Sequence, residues 1–381
     1  MKLVLRIFAT AAMALLSVSA IAGPYTFTDF GTLGGRYSNA SAINNLGQVV
    51  GYSWTAGNMA QRATMWDAGA VINLGALQGD SSYSSFATAI NDSGQVAGYS
   101  YTNRNTAQHA TLWSGSQIID LGTLGGSDSF ATGINNSGKV VGYSQTPWDR
   151  FTYHAVAWSG GSVTDLSPHA VSYSVARDIN NSDQIAGLSS GSSDRVSVWS
   201  GPYGANSATL PGRFGDANAI NDAGTVAGFS YTDNYQEQRA TIWVAGVPTQ
   251  LGILDGARWG RSQANAINNS GLIVGAATDE GFSDRATIWM GGAAIDLNLL
   301  LDSESISAGW VLTNATGIND SGWIVGNATN TKTSDTHAFL LSTNQVPEPS
   351  AMILFLTALG MIGASRRRAF MLKYKVLKPI D

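Results

Sequence analysis

Few residues in this chain are equipped for chemistry, and most of those recur. His109, His154 and His337 stand four residues before Trp113, Trp158 and Leu341, and Arg62, Arg195, Arg239 and Arg285 hold the same place before other tryptophans. A position that accepts His and Arg alike reads as a polar strand end in preference to a catalytic base. His169 has no ligand partner at metal-binding spacing. Hydrolysis by paired carboxylates needs two acids converging on one bond. Only four Glu are present (Glu237, Glu280, Glu304 and Glu348), and the Asp residues fall mostly in turns, where bonding to backbone accounts for them. No G-x-S-x-G, H-E-x-x-H or phosphate-loop pattern stands between a strand and a helix.

With no Cys in 381 residues, thiolate metal sites, disulfides and Cys nucleophiles are excluded. Calcium is the metal that the many Asn and Asp oxygens would suit, yet no twelve-residue loop with alternating acids and a closing Glu is present. The expectation is therefore a chain without cofactor or metal, and not an enzyme. For binding, the repeated tryptophans read as core, because a Trp at a fixed place in a short strand buries about 150 to 250 Å². Aromatics that do not repeat are the better candidates, and Trp54, Tyr101, Trp148, Tyr235, Trp259 and Trp310 are expected in loops as a ligand-contacting set.

What must position these side chains is a repeat. INNSGKVVGYS, from Ile134, has close copies beginning at Ile43, Ile90, Ile179, Ile220, Ile267 and Ile318. The Asn after each Ile recurs at spacings of 47, 44, 45, 41, 47 and 51 residues, and a period near 45 marks a repeat architecture. A Gly follows that Asn by seven residues every time, from Gly51 through Gly326. Each copy reads as four strands of about four to seven residues, as in SFATGI, KVVGYS, HATLW and QIID, separated by Gly, Asn, Asp or Ser. Within the turn, Asn135 suits the first position of a type I turn, and Gly138 suits a left-handed residue closing a hairpin through a bulge. Asp183 replaces that Gly in the fourth copy, and Asp is among the few residues that enter the region at modest cost.

Four strands per ~45 residues is the unit of a β-propeller blade, and seven copies predict seven blades. The ends favour a closed ring over an open solenoid. YTFTDFGTLGG, from Tyr25, matches the fourth-strand segment SQIIDLGTLGG, from Ser116, so the chain opens with an orphan fourth strand. The last copy passes through THAFLL and lacks one. Pairing the two removes edges that would template aggregation.

The termini differ from the body. MKLVLRIFATAAMALLSVSAIAG has basic residues, an apolar run and an A-x-A step, the pattern of a secretory signal peptide over 1–22. Residues 23–342 form the repeat body, 343–349 a linker, and 350–381 a hydrophobic anchor with a basic tail. The uncharged stretch Ala351 to Ala364 rises about 21 Å as helix against a ~30 Å hydrocarbon core, so flanking residues or local thinning must complete a transmembrane span. Arg366, Arg367 and Arg368 follow it and predict a cytoplasmic end. From Gly23 to Pro349 there are 25 acidic residues against 13 basic ones, a net charge of −12 that disfavours nucleic-acid partners.

The body resembles the HAF repeat of bacterial extracellular proteins. The likeness rests on His337-Ala338-Phe339, its variants at His109 and His154, LGTLGG at Leu121 and the IN-x-x-G-x-V-x-G core. The tail is similar to a PEP-CTERM sorting signal, with Pro347-Glu348-Pro349, the apolar run and Arg366 to Arg368, although thirteen further residues follow from Ala369 to Asp381. That resemblance implies recognition by an exosortase in the inner membrane, a destination in the cell envelope or outside it, and a biofilm or exopolysaccharide setting. The expectation is an exported, non-enzymatic, all-β protein: a seven-bladed β-propeller with a C-terminal transmembrane helix. The alternative is a secreted polysaccharide-active enzyme using one propeller face.

Overall fold

The computed structural model describes residues 25–343, apart from 80–82, 103–105, 148–150, 168–172, 191–193, 201–205, 210–213, 233–236 and 258–259. The expected signal peptide, Pro-Glu-Pro motif, apolar anchor and Arg366 to Arg368 lie outside these residues, as do Trp148, His169, Tyr235 and Trp259.

Every repeat folds as an antiparallel meander. Five of them are separate four-stranded sheets. The sheet of the first repeat is joined to that of the last by a single parallel bridge, Tyr37 to Thr336. Strand Tyr25–Asp29 pairs antiparallel with Thr336–Thr343, Phe27 opposite Leu341, so the orphan strand fills the vacancy in the last repeat. The likeness of the two LGG segments is structural as well. Thr32 Oγ1 donates to Gly35 O at 2.7 Å just as Thr123 Oγ1 donates to Gly126 O at 2.9 Å.

The first strands of the repeats are Gly34–Ile43, Ser85–Ile90, Ser129–Ile134, Tyr173–Ile179, Gly215–Ile220, Ser262–Ile267 and Trp310–Ile318. Each packs against the next, and the last packs against the first. There is no single central core. Instead, apolar layers fill the spaces between consecutive sheets: Val50 and Ala63 of one repeat meet Ala87, Ile90, Val96 and Trp113 of the next. Val325 and Ala338 of the last copy meet Ala40, Val49 and Trp66 of the first. The repeated tryptophans Trp66, Trp113, Trp158, Trp199, Trp243 and Trp289 are all buried in these layers, with Leu341 in the equivalent place. At ~25 cal/mol per Å², each contributes roughly 4 to 6 kcal/mol of transfer free energy.

The Gly seven residues after each Asn has a steric cause. Every first strand carries a bulge, for example between Ala131 and Gly133, and just before it a carbonyl of the first strand lies close against the second. A Cβ on Gly142 would lie 1.9 Å from Phe130 O, and one on Gly98 2.0 Å from Phe86 O. All seven equivalent glycines meet the same carbonyl within 2.0 Å, so no other residue fits.

Among the described residues one α-helix interrupts the β pattern, besides the short 3-10 turns Ala56–Asn58 and Leu297–Leu300. Ser303–Ala308, capped by Asp302, whose side chain accepts from Ser305 N–H, and closed by Gly309 at φ 95°, fills the long 51-residue interval before the last repeat.

Candidate functional site

First and third strands run one way and second and fourth the other, so the repeated I-N-x-x-G turns all lie on one face. The connections from second to third strand and from fourth strand to the next first strand lie on the opposite face.

On the turn face each repeated Asn does two jobs. Asn91 Oδ1 accepts from Ser93 N–H at 3.1 Å and Gln95 N–H at 2.9 Å, holding the turn. Its Nδ2 donates to Asn135 O, in the next repeat, at 3.0 Å. The same bond runs from Asn44 to Asn91, Asn135 to Asn180, Asn180 to Asn221, Asn221 to Asn268 and Asn268 to Asn319, and then from Asn319 back to Asn44 at 3.1 Å. These seven amides are at most 6% exposed. Left-handed backbone completes each turn, with Gly138 at φ 82° and Asp183 at φ 61°. Asp183 adds bonds to Asn135 Nδ2 and Lys139 Nζ, each 2.8 Å.

The next residue forms a second ring. Asn45 N–H donates to Asp92 Oδ1 at 2.9 Å, Asp92 N–H to Asn136 Oδ1 at 3.0 Å, and so on until Asp320 N–H donates to Asn45 Oδ1 at 2.9 Å. Carboxylates sit between amides: Asp92 Oδ2 accepts from Asn45 and Asn136, and Asp320 Oδ2 from Asn45 and Asn269. The Ile-Asn-Asn/Asp residues of all seven copies surround a polar cavity of ≈170 Å³. Its oxygens are engaged within the ring, and among the described residues no group of three His, Asp or Glu is placed to hold a metal. Chemically this face is a lock.

The three described histidines are equally occupied. His109 Nδ1 lies 2.8 Å from Asp120 Oδ2, His154 Nδ1 2.8 Å from Asp165 Oδ2, and His337 Nδ1 2.8 Å from Asp29 Oδ1. In each case the Asp is on the neighbouring strand and also accepts from the N–H two residues on, as Gly122 N–H donates to Asp120 Oδ1 at 2.8 Å. The hydrogen bond to Asp120 raises the His109 imidazole above its ordinary value. Burial pushes the Asp120 carboxyl up, but the bonds from His109 and Gly122 outweigh it and hold it below the usual range. The third pair bolts the N-terminal strand to the last repeat.

The opposite face is where repeats differ. Trp54, Tyr101 and Trp310, expected in loops, stand instead on strands Val49–Thr55, Val96–Thr102 and Trp310–Ile318. They lie at the ends nearest this face and are half-buried, because the strands run further than their turn signals indicate. Trp310 packs on Phe27 and His337 at ring distances of 5.9 and 5.2 Å, while nothing brings the three together.

A more continuous surface was hidden in the repeat itself. Tyr52, Phe86, Tyr99, Phe130 and Tyr143 form a half-buried aromatic row across three repeats, with ring distances of 4.8 to 5.2 Å. Burial, with neighbouring tyrosines behind it, pushes Tyr99 up to about 12. Farther round, Gln263 and Asn314 hold the places of Phe86 and Phe130, five residues before the Asn, and Ala276 that of Tyr99. There the space between repeats opens into a cavity of ≈340 Å³ lined also by Gln238, Arg261, Asn265 and Asp284. Residue type at those offsets does not by itself locate it, because the other copies carry Asn39, Val175 and Asp216 at the first of them and Leu188, Phe229 and Asn327 at the second.

Known structures decide the architecture. The β-propeller domain of the Trilobed protease from Pyrococcus furiosus, which has an open velcro topology, superposes with a TM-score of 0.52 at 11% identity, over 83% of this chain and 98% of its own. The fold is a β-propeller. Porphyromonas gingivalis dipeptidyl peptidase 4 (TM-score 0.40, 11% identity, 82% of this chain and 52% of that one) is more distant. So is the Aleuria aurantia lectin AAL (TM-score 0.36, 15% identity, 68% and 94%). No family model matches the sequence, and no curated protein matches it. In propeller terms, the repeated turn belongs to the hub and the aromatic row and cavity to one face.

Proposed function

We propose that this is a seven-bladed propeller of the cell envelope or extracellular matrix that binds exopolysaccharide without turning it over. The observation that carries the reading is the division between faces. One is closed by two seven-membered rings of hydrogen bonds, whereas the other presents an aromatic row and a polar cavity, the surface chemistry that sugars use. The ring of seven Asn bonds supports the blade count. The three His–Asp pairs are spent on strand pairing, which argues against a general base among them. The second reading, a polysaccharide-active enzyme on the open face, needs two acids facing one bond, and the described lining of the cavity holds one, Asp284.

Export and sorting complete the proposal. The N-terminal segment directs secretion, the apolar stretch from Ala351 holds the chain in the inner membrane, and an exosortase recognises Pro347-Glu348-Pro349 with Arg366 to Arg368. Incubating the full chain with matrix polysaccharide tests the binding claim. Co-sedimentation without new reducing ends is expected, and steady release of reducing ends would make the protein an enzyme. Sorting is read from an epitope placed after Asp381: it is separated from the exported body in cells with an exosortase, and retention of a joined species there would refute processing.

A further inference from the structure

We infer that the cavity between Gln263 and Asn314 receives one neutral hexose residue of a polysaccharide, an inference that rests on the binding reading above. The cavity stands where non-aromatic side chains occupy three positions that are aromatic in the second and third copies. Where Phe86, Tyr99 and Phe130 fill the space between blades, Gln263, Ala276 and Asn314 leave ≈340 Å³, within the range of ~300 to 1,000 Å³ typical of small-molecule sites. Where Tyr153 packs on Tyr143 at 5.7 Å, the equivalent of Tyr153 is Asp284 and the wall turns from apolar to polar.

The groups left in the cavity match a ring of hydroxyls. Gln238 Nε2 donates to Gln263 Oε1 at 3.2 Å, and Asn265 Nδ2 donates to Asn314 Oδ1 at 2.7 Å and Ala315 O at 2.8 Å. Each bond fixes an amide by its oxygen and leaves its nitrogen, Gln263 Nε2 or Asn314 Nδ2, without a partner among the described residues. Amides held this way donate to sugar oxygens without first being ordered, which lowers the entropic cost of binding. Asp284 supplies an acceptor and Arg261 a donor, only loosely joined at 3.4 Å and both well exposed. That pair cancels in charge, and the body around it carries a net −12, so a uronate or phosphorylated sugar would meet no net attraction. A neutral pyranose, whose adjacent hydroxyls both donate and accept, fits the donor and acceptor set.

The test uses the full chain and four probes, maltohexaose, cellohexaose, mannohexaose and hexagalacturonate, titrated calorimetrically, with co-sedimentation on intact matrix polysaccharide alongside. At least one neutral hexamer should bind saturably and hexagalacturonate should not. The double variant Gln263→Phe with Ala276→Tyr introduces residues that the second blade carries at these positions, and should weaken that binding at least tenfold at a melting temperature no lower than the parent's. Gln263→Met, which keeps length and removes both hydrogen-bonding groups, should weaken it about tenfold and serves if the double variant misfolds. Binding of a neutral hexamer that survives both changes places the site elsewhere and overturns the inference, while matrix binding stands. Binding of hexagalacturonate that the filled cavity abolishes overturns the ligand class. If the intact polysaccharide itself is not retained, the broader reading fails and the inference with it.

Discussion

Replacing Asn91 separates what the repeated turn does locally from what it does for the ring. The side chain is 3% exposed and makes four hydrogen bonds: two accepted from Ser93 and Gln95 N–H, one donated to Gln95 Oε1 at 2.9 Å and one donated to Asn135 O at 3.0 Å. At about 1 kcal/mol net for each, Asn91→Ala should cost roughly 3 to 4 kcal/mol. Asn91→Asp is the sharper test. It keeps both accepted bonds, and the Gln95 amide can rotate to donate, so only the bond to the next blade is lost. If the residue served the turn alone, Asp would be as good as Asn and the change would cost under about 0.5 kcal/mol. In the ring a carboxylate oxygen faces the Asn135 carbonyl instead, and the expected cost at pH 7 is about 2 to 3 kcal/mol. Burial against a carbonyl raises the introduced carboxyl above its unfolded value of ~3.9, so the penalty is absent below that pH and grows as pH rises to the folded value. Urea unfolding followed by the buried tryptophans gives both numbers from midpoint shifts at constant slope. Asp92→Asn is the comparison on the exposed ring: it keeps Oδ1 for Asn45 N–H and loses the two exposed bonds that Oδ2 accepts from Asn45 and Asn136, so it should cost only about 1 kcal/mol. An Asn91→Asp variant as stable as the parent at pH 7 would refute the ring argument.

Three further outcomes follow from the geometry. Gly142→Ala, whose Cβ would meet Phe130 O at 1.9 Å, should cost about 3 kcal/mol or more, whereas Gly115→Ala, with nothing near it and φ 58°, should cost only about 1 kcal/mol; urea midpoints compare them. Asp178 keeps some exposed surface, yet its carboxylate is held between Ile179 and Ile220 N–H, and burial pushes it up to about 6. Its folded value lies above the unfolded one, so the protein should lose stability as pH rises from ~4 through about 6. Asp178→Asn should flatten that part of the pH profile in thermal melts. Asp29→Ala removes the bonds to His337 and Gly31 N–H at the half-exposed seam. It should cost about 1 kcal/mol globally but clearly speed amide exchange in Tyr25–Asp29, and unchanged exchange there would show that the pair does not hold the terminal strand.

Much of the fold was legible because the repeat stated it seven times. Strand order, the left-handed Gly or Asp, the buried Trp and the pairing of the N-terminal strand with the last copy all follow from local chemistry read once and aligned. What escaped was chemistry between copies. The first turn residue is Asn in all seven, never Asp, while the second is Asn four times and Asp three times. A turn accepts either residue, so only a required donor explains the difference, yet nothing within one repeat says where that donor points. The Gly within each second strand was visible as invariant but not explicable, because the carbonyl that forbids a Cβ belongs to the neighbouring strand. Trp54, Tyr101 and Trp310 were placed in loops because turn signals mark where a strand can stop, and pairing with the next strand carried these further.

The same reasoning says why the proposed binding is placed on the face where copies diverge. Every hub residue answers to a neighbour in the next blade, so a change in one copy strains two interfaces, and the Asn, Gly and Trp positions admit almost no variation. Ligand recognition needs the opposite, a place where one copy can differ from the rest without breaking a ring. Gln263, Ala276 and Asn314 meet that condition: they stand at positions whose residue type varies from copy to copy, with aromatics only in some, while Ala264 of the same strand and Asn268 just after it stay buried in the shared pattern. Against the second and third copies, the open space lacks the packing of three rings, several kcal/mol by the usual large-to-small scale. A closed hub that shares load among all blades can sustain that loss at one interface, whereas an open stack would concentrate it at the weakest joint. Closure at Tyr25–Asp29 is therefore what permits a cavity at the sixth and seventh copies, far from it in sequence.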